Sequence, residues 1–218
     1  MIEVIALDGV SGAGKSSTAK LLAEELGFCH LDSGAMYRML TYQALQKGLR
    51  SDQHAELGEV AESLRFSFGE NHEMWANGKP LPSAIRGSEV SAHVSEYCKP
   101  REVREALARQ QRELGLSRPS VAEGRDMATV VFPDARWKFY MTARPEVRAQ
   151  RRVQELRAAG HPAEYDEILR NLQERDDKDS RRELSPLRKA EGAVEIDTSD
   201  LTLEGQISII ADLVRKGL

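Results

Sequence analysis

The sequence has little cysteine: Cys29 and Cys98 are the only two in 218 residues. They form no C-x-x-C pair, so we expect neither a disulfide framework nor a zinc site with paired cysteine ligands. The histidines are scattered and lack the spacing of metal ligands. Both cysteines are therefore predicted to be small buried hydrophobic residues.

Long apolar runs and blocks of like charge are also lacking. The N-terminal segment has no basic region followed by a long apolar stretch, so we expect no signal peptide, no membrane span and a cytoplasmic location. Lysine plus arginine number 31 against 35 aspartates plus glutamates, which gives a net charge of −4. This balance provides no general attraction to nucleic acid, so we expect no polynucleotide partner.

A phosphate-binding loop is present near the start of the chain. Residues Gly9 to Ser16 read G-V-S-G-A-G-K-S, which matches G-x-x-x-x-G-K-[ST] directly after the apolar run 2–7. The glycines let successive backbone N–H groups approach a polyphosphate, and Lys15 adds a positive charge at its β- and γ-phosphates. Ser16 offers a hydroxyl to Mg²⁺. The predicted nucleotide contacts are Gly9, Val10, Ser11, Gly12, Ala13, Gly14, Lys15, Ser16 and Ser17.

Strand and helix patterns alternate along most of the chain, which predicts a parallel sheet with helices on both faces. The segment from Arg65 to about Gly87 differs, since Phe66 and Phe68 alternate with polar residues and Asn77-Gly78 is a hairpin signal. We expect a small antiparallel insertion there. A predicted helix over 145–159 carries several arginines and only a thin apolar face, so it should pack weakly and move.

Three further segments pair arginine with hydroxyl or carboxylate groups. They are D-S-G-A-M-Y-R at 32–38, E-G-R-D-M at 123–127 and E-R-D-D-K-D at 174–179. The first two follow directly on predicted strands, and ligands of open α/β sheets collect beyond the carboxyl ends of strands. Both segments should therefore face the phosphate loop.

These blocks, together with V-F-P-D at 131–134 and the insertion, resemble the bacterial cytidylate kinases, the CMP/dCMP kinases of the nucleoside monophosphate kinase group. The resemblance runs end to end. It implies phosphoryl transfer from ATP, with Mg²⁺, to CMP or dCMP by a monomer. It also implies a P-loop NTPase-type three-layer α/β fold with a five-stranded parallel sheet, a small antiparallel β insertion and a short helical lid.

Regions and residue roles follow from the same resemblance. It implies one domain, 1–218, with a core at about 1–32, 115–143 and 190–218, a monophosphate-binding region at about 33–114 and a lid at about 144–162. Ser95, Arg104 and Asp126 match residues that recognise cytosine, and Arg38 and Arg125 match residues directed at the monophosphate. The residues that match the family's ribose and phosphate contacts are Ser33, Tyr37, Arg175, Asp179 and Arg182. The candidate catalytic residues are Lys15 and the lid arginines Arg148, Arg151 and Arg152.

Cytosine chemistry suits these residue types. Its exocyclic amine donates beside two ring acceptors, so a carboxylate such as Asp126 next to donors such as Arg104 and Ser95 makes a selective edge. The alternatives are a kinase for another small acceptor, such as AMP, UMP or shikimate, and a GTPase-like switch. An N-K-x-D guanine motif is absent from the sequence, which disfavours the switch. Asp176 and Asp177 stay undecided between helix-end charges and partners for neighbouring arginines.

Overall fold

The computed structural model describes residues 3–158, 160 and 162–217. It contains a five-stranded parallel sheet with helices on both faces and a separate three-stranded antiparallel sheet, so the predicted fold class is confirmed. The strands are β1 Val4–Gly9, β2 Cys29–Asp32, β3 Phe66–Phe68, β4 Met74–Ala76, β5 Lys79–Pro80, β6 Ser120–Glu123, β7 Trp137–Thr142 and β8 Val194–Asp197. The helices are α1 Lys15–Leu26, α2 Ser33–Gln46, α3 His54–Ser63, α4 Ser88–Tyr97, α5 Arg101–Gly115, α6 Pro145–Ala158, α7 Tyr165–Ser180 and α8 Leu203–Lys216.

The order of strands in the parallel sheet is β2-β6-β1-β7-β8, with β1 in the centre. After β1 the chain crosses to β2, beyond the position of β6, and it later returns to β7 on the other side of β1. Such a reversal of direction opens a crevice at the carboxyl ends of the strands. The register pairs Leu7 with Glu123 and Leu31 with Ala122, so the residues after β1, β2 and β6 meet at one edge.

Alternation along β1 separates two hydrophobic cores. Ile5 and Leu7 face a core with α1 and α8, whereas Ala6 faces a core with α2, α3 and α5. Burial of a large apolar side chain stabilises the fold by about 1.5–3 kcal/mol, so these two layers hold the sheet rigid beneath its upper edge. Cys29 and Cys98 are both free and buried, as predicted.

The insertion forms as the sequence predicts. Strands β3, β4 and β5 pair antiparallel, and Asn77 and Gly78 connect β4 to β5 with positive φ angles of 51° and 73°. Two positive φ angles at an Asn-Gly pair are typical of a hairpin turn whose twist matches that of the strands. The side chain of Asn77 accepts a hydrogen bond from the Arg65 amide at 2.8 Å, which ties the turn to the start of the insertion.

Helices α6 and α7 pack against each other at the edge of the crevice. The predicted lid, 144–162, falls on α6 and the segment after it, although its residues Ala159 and His161 lie outside the described residues, as does Ile2 of the predicted first strand. Within the described ranges, no helix is long and apolar enough to cross a membrane.

Candidate active site

The P-loop joins β1 to α1 in a conformation that needs glycine. Gly9 has a φ of +148°, and a Cβ built on it would lie 1.9 Å from the carbonyl oxygen of Met141. Gly14 has a φ of +89° directly before α1 begins at Lys15. The loop therefore ends on a helix N-terminus, where free N–H groups and the helix dipole favour phosphate.

Contacts from α1 and from the loop after β8 hold the P-loop in place. Thr18 Oγ1 donates to Gln206 Oε1 at 2.7 Å, and Thr198 Oγ1 donates to the carbonyl of Ala13 at 2.9 Å. Arg151, a predicted lid arginine, donates to the Thr198 carbonyl at 2.6 Å and to its hydroxyl at 3.1 Å. Such contacts fix the loop before a ligand arrives, which lowers the entropic cost of binding.

Lys15 lies at the centre of a charged cluster. Its side chain is buried, and Nζ donates to the carbonyl oxygen of Val10 at 2.7 Å. Burial lowers the pKa of Lys15 well below its ordinary value, and repulsion from Arg125 and Arg175 acts in the same direction. Attraction from Glu123 and Asp8 opposes this shift.

Ser16 is connected to Glu123 at the end of β6 and, through it, to His30 of the neighbouring strand β2. Its Oγ donates to Glu123 Oε2 at 2.8 Å, and the other carboxylate oxygen of Glu123 lies 3.1 Å from His30 Nε2. A hydroxyl beside a carboxylate provides the hard oxygen ligands that Mg²⁺ prefers. Among the described residues, no group of three or more His, Cys, Asp or Glu side chains forms a cage for a metal. This donor set fits Mg²⁺ bound together with nucleotide phosphates, since Mg²⁺ usually takes few protein ligands.

Asp8, the penultimate residue of β1, holds the backbone that follows β6. Its two carboxylate oxygens accept hydrogen bonds from the amides of Met127 and Ala128, each at 2.8 Å. These amides begin a π-helical turn over Met127–Val131. Burial raises the pKa of Asp8 from 3.8 to about 6, although the two backbone hydrogen bonds oppose the shift. Asp8 thereby positions Asp126, which directly precedes the turn.

We expect Asp8→Asn to remove one component of the pH dependence of stability. Because the pKa of Asp8 is raised to about 6, the folded state binds more protons than the unfolded state between pH 3.8 and that value. The contribution of Asp8 to the free energy of unfolding therefore decreases as pH rises through this range. When the free energy of unfolding is measured with urea at about pH 5 and at about pH 7.5, it should decrease from the lower to the higher pH by about 1 kcal/mol more in the wild type than in the variant. Equal losses in the two proteins would contradict this assignment.

A second pocket is built around a buried ion pair. Arg104 of α5 donates through Nη2 to Asp126 Oδ2 at 2.9 Å, and their side chains are only 7% and 5% exposed. The guanidinium carbon of Arg104 lies 5.4 Å from the centre of the Tyr37 ring, within the range of a cation–π contact. Arg104 Nε is buried and has no partner among the described residues. A buried unpaired donor is costly, so this pocket suits a ligand that brings an acceptor.

Arginines line the space between this pocket and the P-loop. Arg125 donates to Asp179 Oδ2 at 2.9 Å, and Arg182 pairs with the other oxygen of the same carboxylate. Burial and then repulsion from Arg125 lower the pKa of Arg175 to about 10. Arg38 donates to Ser91 Oγ at 2.8 Å and lies near enough to Arg175 to repel it. Lys15 and these arginines thus form one positive region at the sheet edge.

The remaining predicted residues differ in how far they are buried and in whether they contact the site. Ser33 is buried against Gly124, because a Cβ on that glycine would lie 2.7 Å from Ser33 Oγ. Ser95 is exposed on α4, and its side chain makes no hydrogen bond within the described part of the chain, so its contact with cytosine stays a prediction. Arg152 pairs with Glu155 on the surface of α6 at 3.0 Å.

Arg148 differs most from the expectation of a weakly held lid arginine. Its side chain is 5% exposed, and it donates to the carbonyls of Ser11 and Ala143 and to Asp176. The N-terminal part of α6 is therefore anchored to the P-loop in this structure. The thin apolar face of α6 does not reveal this, because polar contacts supply the attachment.

Three residues that contact the site were not assigned these contacts from the sequence: Asp8, His30 and Glu123. Asp176, which the sequence leaves undecided between a helix-end charge and a partner for an arginine, pairs with Arg148. Each of the four acts through a contact between distant chain positions, for example Ser16 with Glu123 across 107 residues. Glu123 and Asp176 belong to the quoted motifs, which was the only available signal for them. A P-loop on a central strand faces, across the same sheet edge, a group of arginines and carboxylates that includes the buried pair Arg104–Asp126. This combination defines a P-loop phosphotransferase.

Comparison with known proteins narrows this class. A family model described as "Cytidylate kinase" matches residues 5–216. The cytidylate kinase of Parabacteroides distasonis is 44% identical over 99% of this chain and 97% of its own length. The cytidylate kinase of Phocaeicola vulgatus is 44% identical over 93% of this chain and 92% of its own length. The cytidylate kinase of Citrifermentans bemidjiense is 40% identical over 99% of this chain and 94% of its own length. The chain belongs to the cytidylate kinase family.

Proposed function

We propose that this protein transfers the γ-phosphoryl group of ATP to CMP or dCMP and releases ADP with CDP or dCDP. The observation that carries this proposal is the position of the Arg104–Asp126 pair relative to Lys15. Asp126 adjoins Arg125 in the chain, and Arg125 lies close enough to Lys15 to lower its pKa. An acceptor base held by Asp126 would therefore place its phosphate toward the P-loop.

The buried pair explains the choice of base. One oxygen of Asp126 accepts from Arg104, and the carboxylate retains the capacity to accept from the exocyclic amine of cytosine. The unpaired Nε of Arg104 is a donor for a ring acceptor of the same base. Uracil presents an acceptor where cytosine presents the amine, so it would face a carboxylate with no hydrogen to donate. Ser95 is proposed to add a further donor when the region at 33–114 closes.

Arg38, Arg125, Arg175 and Arg182 are proposed to bind the acceptor phosphate and to neutralise its charge. Phosphoryl transfer depends mainly on alignment of the two reacting groups and on positive charge around the migrating phosphoryl. Asp179 positions this set, because its two oxygens hold Arg125 and Arg182. Burial acts to raise the pKa of Asp179, but the positive charges of Arg125, Arg182 and Arg175 and the hydrogen bond from Arg125 lower it overall, so the carboxylate stays ionised at neutral pH.

Mg²⁺ accompanies ATP in this proposal. Ser16, with Glu123 behind it, would hold the ion, which supplies charge neutralisation at the β- and γ-phosphates when bound. His30 limits the rotation of the Glu123 carboxylate through its contact at 3.1 Å. Lys15 would contact the β- and γ-phosphates, and the backbone amides of the P-loop would hold the α- and β-phosphates.

A closing movement of α6 and the segment after it would exclude water, which otherwise competes with CMP as the acceptor. Arg152 is free to join the site in that movement, since its only described contact is the surface pair with Glu155. We propose that the protein works as a monomer, because one chain supplies both the donor side and the acceptor side of the crevice.

A coupled assay of ADP release with a panel of acceptors tests the function. With ATP and Mg²⁺, we expect CMP and dCMP to give the highest kcat/KM and UMP to be lower by about 10-fold or more. The panel includes AMP and shikimate at the same concentrations. Highest turnover with AMP would remove cytosine from the proposal, and slow hydrolysis of ATP that CMP does not accelerate would favour a nucleotide-dependent switch.

A further inference from the structure

A carboxylate from α7 lies on the P-loop. Asp176 Oδ1 accepts a hydrogen bond from the backbone amide of Ser11 at 3.3 Å, and Asp176 Oδ2 accepts from Arg148 Nη1 at 2.5 Å. The same nitrogen of Arg148 donates to the carbonyl of Ser11 at 2.9 Å. Ser11, Arg148 and Asp176 thus form one cluster in which a negative charge rests against a loop built to bind phosphate.

The position of Ser11 indicates which phosphate this carboxylate replaces. In a P-loop the backbone amides of the loop hold the α- and β-phosphates, and the lysine at its end reaches the β- and γ-phosphates. Lys15 Nζ lies 2.7 Å from the carbonyl of Val10, the residue next to Ser11. Ser11 therefore lies on the side of the terminal phosphate.

Because of this placement, we propose that Asp176 is an internal anion that holds the terminal-phosphate subsite until ATP displaces it. This inference rests on the proposed function for the identity of the nucleotide. On displacement, Arg148 exchanges the carboxylate for the γ-phosphate. The exchange keeps an anion beside Arg148 throughout, which matters because a buried guanidinium without an anion is costly.

The same exchange connects the donor and acceptor sides. Asp176 follows Arg175 in α7 and precedes Asp179, which holds two of the arginines proposed for the acceptor phosphate. Movement of Asp176 away from the P-loop would move this turn of α7. Binding of the terminal phosphate would therefore shift Asp179 and the positions of Arg125 and Arg182, which Asp179 holds. ADP lacks that phosphate and would leave Asp176 in place.

Affinity measurements with the whole chain test this inference. The probes are a non-hydrolysable ATP analogue and ADP, each titrated calorimetrically with Mg²⁺ and without CMP. Asp176→Asn removes the charge and keeps an oxygen that accepts from Arg148. We expect the variant to bind the ATP analogue about 10-fold more tightly than the wild type, and ADP with less than about 2-fold change. Asp177→Asn is the matched control, since Asp177 is exposed on the same helix, and it should change neither affinity.

Circular dichroism and thermal unfolding establish that each variant is folded, and Asp176→Ser serves as a second neutral variant. Weaker or unchanged binding of the ATP analogue by folded variants would overturn the inference, since Asp176 would then act only as a structural partner of Arg148. Equal tightening for ADP would also overturn it, because the charge would not be specific to the terminal phosphate. A wild type that binds ATP and does not phosphorylate CMP would refute the proposed function and leave this comparison of affinities valid.

Discussion

Lys15→Ala is expected to lower kcat for phosphoryl transfer by about 1,000-fold or more, because removal of one preorganised positive group at the migrating charge has effects of this order. Lys15 and Arg148 both donate to carbonyls of the P-loop, but Arg148 is paired with Asp176, and neither Arg125 nor Arg175 comes from the donor side of the crevice. KM for CMP should change much less, since the acceptor is held by other residues. Steady-state kinetics over a range of both substrates measure the two effects separately.

The fold should survive this substitution. Burial lowers the pKa of Lys15, which means that the charged side chain is held at a cost in the absence of a nucleotide. Alanine removes that cost together with the hydrogen bond to Val10. Lys20→Ala is the matched control, because Lys20 lies on the same helix with its side chain 66% exposed and should keep full activity. Loss of thermal stability in Lys15→Ala, or near-normal kcat, would contradict the role given to this residue.

Local patterns predicted most of the fold. The glycines and lysine of the P-loop, the Asn-Gly turn and the alternation of strands with helices each depend on neighbouring residues, and each appears in the structure. The acceptor pocket needed the family resemblance as well, since Tyr37 or Ser95 alone indicates nothing. Arg104 and Asp126 were assigned by that resemblance, and the structure adds that they form a buried pair.

Contacts between distant positions explain what could not be predicted. Asp8 follows four buried residues in β1, and nothing near it indicates that it holds amides 119 and 120 positions further along the chain. Asp176 is one carboxylate among many on a strongly charged helix. Its role follows only from the packing of α7 near the P-loop, which brings it to Ser11 across 165 residues. Charge patterns along a sequence do not reveal which charged residues become buried.

Base discrimination should be the property most sensitive to Asp126. We expect Asp126→Asn to lower the ratio of kcat/KM for CMP to that for UMP by about 10- to 100-fold, since the amide nitrogen can donate to the uracil acceptor and cannot accept from the cytosine amine. A higher KM for CMP should account for part of this decrease in the ratio. Initial rates with both nucleotides at saturating ATP give the ratio directly.

Asparagine is preferable to alanine because Arg104 is buried. Alanine would leave the guanidinium without its anion, and breaking a buried pair costs about 3–5 kcal/mol, which could unfold the protein. Asparagine keeps an oxygen that accepts from Arg104 Nη2, so thermal unfolding should show a smaller loss than in Asp126→Ala. Asp134→Asn, an exposed position in the loop before β7, controls for the loss of one negative charge. An unchanged preference for CMP over UMP in folded Asp126→Asn would assign recognition of the cytosine amine to another residue.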